Sequence, residues 1–188
     1  MAIALTLQQY LSDHGIDYEL MTHELTKSAS ETAQASHVPA DRLAKGVVLT
    51  RDGGYVMAVL PASRKVRLDA IEEMLHCSVG LATEDEVTSL FPDCETGAVP
   101  PLGAAYALEC IVDENLEGEG DVYLEGGDHR TLIHVTGQQF HDMRDAPTAT
   151  FAEKPNWVPR IQRRSRKTGY PDFLYITGAD CICGTLDT

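Results

Sequence analysis

Aromatic side chains are sparse in this 188-residue chain, at 6% with a single Trp, and basic ones are outnumbered: 15 Lys and Arg face 29 Asp and Glu, for a formal net charge of −14. A surface of that sign repels phosphate backbones, which excludes non-specific binding of nucleic acid over the whole body. No apolar run approaches the roughly 18–20 residues a membrane-spanning helix needs, so no membrane partner is expected. The opening stretch "MAIALTLQQYLSDHG" lacks the basic start and small-residue cleavage pattern of a secretory signal, and the expected compartment is the cytoplasm. Five cysteines, odd in number and scattered, do not read as a disulfide framework. Cys181 and Cys183 are close enough to form a redox pair or half a metal site, but no second ligand pair stands at zinc spacing, and no metal or cofactor is expected. Phosphate-loop, dinucleotide-binding, zinc-protease and serine-hydrolase signatures are all missing. A Cys-dependent hydrolase is a third and lesser reading, since no cysteine has a Lys or Arg beside it in sequence.

The charge that is present is unevenly placed. Residues 1–153 carry a net −17 and residues 154–188 a net +3, with every tail cation inside "KPNWVPRIQRRSRK". The chain is read as a body over residues 1–152 and a basic, Pro-containing extension over 153–188, which Trp157, Tyr170 and Phe173 could anchor. Within the body, "LTLQQYLSDHG" spaces Leu5, Leu7 and Leu11 as an amphipathic helix that stops at Gly15. "IDYELMTH" reads as a strand. Ser28 and Glu31 form a capping-box pattern opening a second helix, and Thr83 and Glu86 repeat it later. "KGVVLT" and "YVMAVLPA", joined by "RDGG", read as a β-hairpin. "RLDAIEEMLH" is helical. "YALECIVD", "DVYLEGG" and "TLIHVT" read as strands, and "GQQFHDMR" as a closing helix. The expected fold is α/β in the α+β sense: a mixed, largely antiparallel sheet or partly closed barrel surrounded by helices.

Two features invite a functional reading. Lys45 stands where a helix hands over to an apolar strand, in "RLAKGVVLT". That position suits either a snorkelling lysine at a strand end or a fixed cation beside a pocket, with Gly46 allowing close backbone approach. The stretch "DCETGAVPPLGAAY" sets two prolines between two glycines with no charge from Gly97 to Tyr106, a stiff loop suited to close contact with a small ligand.

Taken together, "RLAKGVVLT", "YVMAVLPASRKVRLDAIEEML", "LFPDCETGAVPPLGAAY" and "VYLEGGDHRTLIHV" resemble the YbaK family, the prolyl-tRNA synthetase-associated editing domain, over roughly residues 15–145. The resemblance implies a trans-editing hydrolase that deacylates mischarged aminoacyl-tRNA at the 3′ ester, with alanine, cysteine or serine as the amino acid. The alternative is a non-catalytic module of the same fold that binds a tRNA end or small ligand. Position by position, the family lysine falls on Lys45 and the family G-x-x-x-P on Gly97 to Pro101, which makes Lys45, Gly97 and Pro101 the catalytic set. The implied substrate-binding set is His23, Gly46, Ala98, Val99, Pro100, Leu102, Gly103, Asp128 and His129. Pro100 and Gly46 stand where many members carry hydroxyl or amide residues. Lys45 would hold the phosphate or ribose of the acceptor end, and backbone N–H groups of the loop would face the ester. Implied partners are the acceptor end of mischarged tRNA and an aminoacyl-tRNA synthetase, and the chain would act as a monomer or homodimer.

In this reading the tail cations Arg163, Arg164 and Arg166 add contacts to the tRNA body. Neutralising the three together is expected to weaken tRNA binding and to flatten the log-affinity against log-salt plot by about 0.7–0.9 for each phosphate that is no longer neutralised. An unchanged slope would refute the tail's part in binding.

Overall fold

The structure is a computed structural model, and it describes residues 3–118, 120–144 and 146–155. The tail features Trp157, Arg163, Arg164, Arg166, Tyr170, Phe173, Cys181 and Cys183 therefore lie outside the described residues. Helix α1 (Leu5–Asp13) buries Leu7 and Leu11, which lie one above the other four residues apart. Leu5, two residues off that stripe, is 71% exposed and does not belong to the buried face. Strand β1 (Glu19–Thr22) follows, then α2 (Ala29–Ala35). The Ser28 hydroxyl caps α2 by accepting from Glu31 N, but the Glu31 carboxylate accepts from Lys27 N instead of Ser28 N, so the expected reciprocal box is half made.

The hairpin is β2 (Leu43–Arg51) and β3 (Gly54–Pro61), in continuous antiparallel register from Ala44↔Pro61 to Arg51↔Gly54. Then come β4 (Lys65–Val66), α3 (Leu68–Leu75), β5 (Val79–Leu81) and α4 (Glu84–Leu90), the last with both halves of its Thr83–Glu86 capping box. A short 3-10 turn occupies Gly103–Tyr106, so the strand expected from Tyr106 starts only at β6 (Cys110–Asp113). Strands β7 (Val122–Glu125) and β8 (Thr131–Val135), helix α5 (Gly137–Met143), and strands β9 (Thr148–Ala149) and β10 (Ala152–Glu153) complete the order.

The main sheet runs β1-β8-β7-β2-β3-β6-β9, with β5 also paired to β2, and β10 pairs separately with β4. It is mixed: β2–β7, β3–β6 and β6–β9 are parallel, the other pairs antiparallel. Because successive strand residues point to opposite faces, the core divides in two. On one face Ala44, Val48, Met57, Val59, Cys110 and Val112 pack with Leu7 and Leu11 of α1 and Phe140 and Met143 of α5. On the other, Leu49, Ala58, Leu60 and Ile111 pack with Ile71 of α3, and Leu43 and Leu132 with Ala33 of α2. Helices thus cover both faces, and β2 and β3 run through the middle.

Asp113, at the end of β6, is fully buried and saturated with donors. Its Oδ1 accepts from Asn115 N (3.0 Å) and Asn115 Nδ2 (2.5 Å), and its Oδ2 from Phe151 N (3.1 Å) and Ala152 N (2.8 Å). The carboxylate thereby seats buried Phe151 against the second face. Asp113→Ala would orphan several buried N–H groups, and a loss of about 2–4 kcal/mol is expected, read as a lower urea midpoint.

Candidate functional site

Strand β2 has two edges with different fates. One is paired with β3 along its length from Ala44 to Arg51. The other is paired with β7 only at Leu43 and Ala44, and with β5 only from Leu49 to Arg51. Arg42 O accepts from Tyr123 N, and Val48 O accepts from Ala82 N, so even-numbered residues here turn their backbone groups toward this second edge. Gly46 is the even-numbered residue between the two pairings. Its N–H and C=O consequently face an interval where no strand lies alongside.

A cavity of about 210 Å³ opens at that interval. From β2 it is lined by Leu43, Ala44, Lys45 and Gly46, and from the start of α2 by Lys27, Ser28, Ala29 and Thr32. Gly97 and Val99 close it from the proline-containing loop, and Glu125 and His129 from the β7–β8 connection. Five residues of the expected set are therefore gathered here: Lys45, Gly46, Gly97, Val99 and His129.

Lys45 is not a solvated strand-end lysine. Its ammonium donates to Arg64 O (2.6 Å) and Ala62 O (3.4 Å), carbonyls of the turn joining β3 to β4. One of its three N–H donors remains. Burial, with Lys65 adding to it, holds the Lys45 pKa below the ordinary lysine value. Gly46 is tightly walled: a Cβ there would lie 3.1 Å from Met57 Sδ and 3.3 Å from Val99 Cγ1.

Gly97 has φ +86°, a conformation that disfavours any side chain, and it lies against the His129 ring. His129 Nε2 meets Thr96 O at 3.0 Å. A carbonyl only accepts, so Nε2 carries the proton and a neutral ring leaves Nδ1 as an acceptor. His129 itself has φ +56°, an uncommon conformation for a side-chain-bearing residue. Its N–H donates to Glu125 Oε1 at 3.1 Å, as does Gly127 N at 3.2 Å. Burial raises the Glu125 carboxyl above the ordinary carboxylate range, opposed by those two N–H bonds and by His129.

The rest of the expected set lies elsewhere. Ala98 is buried, and its N–H is taken by Glu95 O. Pro100 is buried, and Pro101, Leu102 and Gly103 line a second, much smaller cavity of about 10 Å³ against Phe140 and Val112. Gly103 is there for close packing, since a Cβ would come within 2.3 Å of Cys110 Sγ and 2.7 Å of Leu108 O. His23 continues the β1–β8 ladder through its N–H to Arg130 O, and its Nδ1 meets Glu24 O at 2.7 Å. Asp128 ties its own turn, accepting from Arg130 N, Thr131 N and Thr131 Oγ1. Neither lines the main cavity.

The cavity residues that sequence reasoning missed are Leu43, Ala44, Glu125 and the opening residues of α2. The Ser28 cap located α2, but what α2 faces depends on the β2–β7 pairing, which leaves no local signal. The cavity carries Lys27 and Lys45 against Glu125, a cationic spot in an acidic chain. The thiols of Cys94 and Cys110 are each pushed up to about 11 by burial, so neither is a ready nucleophile. Among the described residues no group of three or more His, Cys, Asp or Glu is placed to hold a metal.

Residues 23–143 match the family model of the aminoacyl-tRNA editing domain. Among solved structures, a candidate trans-editing enzyme for prolyl-tRNA synthetase superposes with a TM-score of 0.71 at 25% identity, covering 80% of this chain and 96% of that one. A scaffold protein used for computational epitope grafting gives 0.71 at 24% identity, covering 80% and 97%. A hypothetical protein gives 0.70 at 21% identity, covering 79% and 99%. These last two share the fold. No curated protein matches the chain.

Proposed function

The chain belongs to the aminoacyl-tRNA editing domain family, and on that premise we propose that it is a trans-acting deacylase, hydrolysing the 3′ ester of tRNA mischarged with alanine, cysteine or serine. The observation that carries the reading is the small cavity at the β2 interval, where Lys45, Gly46 and the Gly97–Val99 segment converge. An aminoacyl ester is already activated, so positioning and charge stabilisation suffice without a strong nucleophile.

In this mechanism the remaining N–H of Lys45 holds a phosphate or ribose oxygen of the acceptor end. The N–H groups of Gly97 and Val99 make no hydrogen bond to any described residue, unlike that of Ala98, and are the donors at the rim for the ester carbonyl. Water attacks the carbonyl carbon, the 2′-OH of the substrate helps to carry the proton, and the C–O bond to the ribose breaks. Selection is by size. A wall that excludes a larger side chain discriminates more strongly than the 1–3 kcal/mol or so that one favourable methylene contributes. The acidic body fits local docking of the acceptor end, and the same chemistry is compatible with help from a synthetase.

A panel of mischarged tRNAs tests the reading. Lys45→Ala is expected to lower kcat/KM by about 100-fold or more with the fold intact by circular dichroism. Near-wild-type rates on every member of the panel would overturn the assignment. Lys45 acts only while charged, and its pKa is depressed, so activity corrected for spontaneous hydrolysis should fall as pH rises through a value below 10.5. Lys45→Arg, if active, should remove that alkaline limb.

Gly46→Ala places a methyl against Met57 and Val99, whose side chains must give by a few tenths of an ångström. The expected result is a fold destabilised by about 1 kcal/mol or less and a preference shifted from serine and cysteine toward alanine esters, read as the ratio of kcat/KM values across the panel. An unaltered ratio would place the amino-acid side chain elsewhere in the cavity.

A further inference from the structure

We infer that Glu125 is the counter-charge for the free α-ammonium group of the substrate, so that the cavity selects esters of α-amino acids over those of the matching α-hydroxy acids. The inference rests on the editing reading above and names how that site recognises the part common to all its substrates.

Glu125 is the last residue of β7, one position beyond Leu124, which pairs with Ala44 where β2 and β7 part. Strand parity puts its side chain on the face shared by Leu43 and Tyr123, the face covered by α2 and the one toward which Lys45 points. Only one of its carboxylate oxygens is used within the fold: Oε1 accepts from both Gly127 N and His129 N. Oε2 has no partner among the described residues and is not sealed in the interior, while the side chain lines the cavity. No described cation forms an ion pair with the carboxylate. Lys45, the nearest candidate by parity, is turned to the carbonyls of Ala62 and Arg64 instead.

A glutamine would make the same two turn bonds through its own oxygen. The turn therefore explains an acceptor at this position and does not explain a charge. A half-buried carboxylate with no ion-pair partner is costly, and this one is held above the ordinary carboxylate range by desolvation. An incoming ammonium ion relieves that cost and gains a charge-assisted hydrogen bond. The ammonium would then sit at the β7 side of the cavity. The acceptor-end oxygen would sit at Lys45 and the carbonyl at Gly97 and Val99, three anchors that fix the ester without touching its side chain.

The test compares alanyl-tRNA with lactyl-tRNA, made from it by deamination, in which a hydroxyl replaces the ammonium at nearly constant shape. Wild type should prefer alanyl-tRNA in kcat/KM by about tenfold or more, the usual weight of a hydrogen bond to a charged group. In Glu125→Gln the ratio should collapse to about twofold or less, with the lactyl rate little changed. A ratio preserved in Glu125→Gln, or equal loss on both substrates, overturns the inference and leaves Glu125 as a turn residue.

Should the wild type deacylate nothing, the editing reading fails separately. Calorimetric titration with 3′-(L-alanylamino)-3′-deoxyadenosine and its lactyl counterpart then decides the point for Glu125. Tighter binding of the amine that is lost in Glu125→Gln sustains the inference, and equal binding of the two compounds by wild type refutes it.

Discussion

Everything at the site depends on a strand that is paired on one edge throughout and on the other only at its ends. Strand β2 is anchored along β3 from Ala44 to Arg51, so its geometry is fixed. Its opposite edge meets β7 at Leu43 and Ala44 and β5 from Leu49, and the interval between stays open. A continuous ladder there would have closed the sheet and left no cavity. A wholly unpaired edge would have been a mobile, aggregation-prone strand. Held at both ends, the interval presents the Gly46 backbone in a fixed place, and the absence of a Cβ lets Met57 and Val99 close on it.

The same interval sets the electrostatics. Lys45 leaves β2 on the α2 face and is tethered by the carbonyls of Ala62 and Arg64, which neutralise little of its charge but fix its position. Its depressed pKa records an ammonium ion short of solvation, one that gains more from an anionic oxygen than a solvated surface lysine would. An overall net charge of −14 then favours approach of a polyanion only where cations cluster, and the cavity holds two lysines, Lys27 and Lys45. The buried thiols of Cys94 and Cys110 are pushed in the opposite direction from a nucleophile's need.

Much of the fold was legible because its signals are local. Leu7 and Leu11 at helical spacing, the Ser28 and Thr83 caps and the Asp52-Gly53 turn each declare an element within a few residues. Strands β4, β5, β9 and β10 were not legible. At two or three residues each they have no room for an alternating pattern and exist because a partner strand holds them. The site divides in the same way. Lys45 and the Gly97 loop stood out by their own chemistry, and family resemblance tied them to His129. Glu125 is tied to His129 by their shared turn, but it meets Lys45 and Gly46 only through the parallel β2–β7 contact, between residues far apart in the chain. Asp128 and His23, acidic and basic residues near the right strands, turn out to serve their own backbone.

The proline-containing loop connects rigidity to selection. Its first part, Gly97 and Val99, faces the main cavity, whereas Pro100 to Gly103 is buried against the core, where Gly103 has no room for a methyl group. Two fixed φ angles at Pro100 and Pro101 link the exposed part to that anchored part. For the proposed selection by size such a wall must not yield, because a retreat of one ångström would admit a larger side chain. The loop therefore needs its anchor in the core more than it needs polar groups at its tip. Behind Gly46 lies Met57, fully buried, whose side chain is flexible. Val99 and Met57 thus close on Gly46 from two sides. In the proposed reaction, recognition of the ester would rest with Lys45, Glu125 and the loop backbone, apart from that wall.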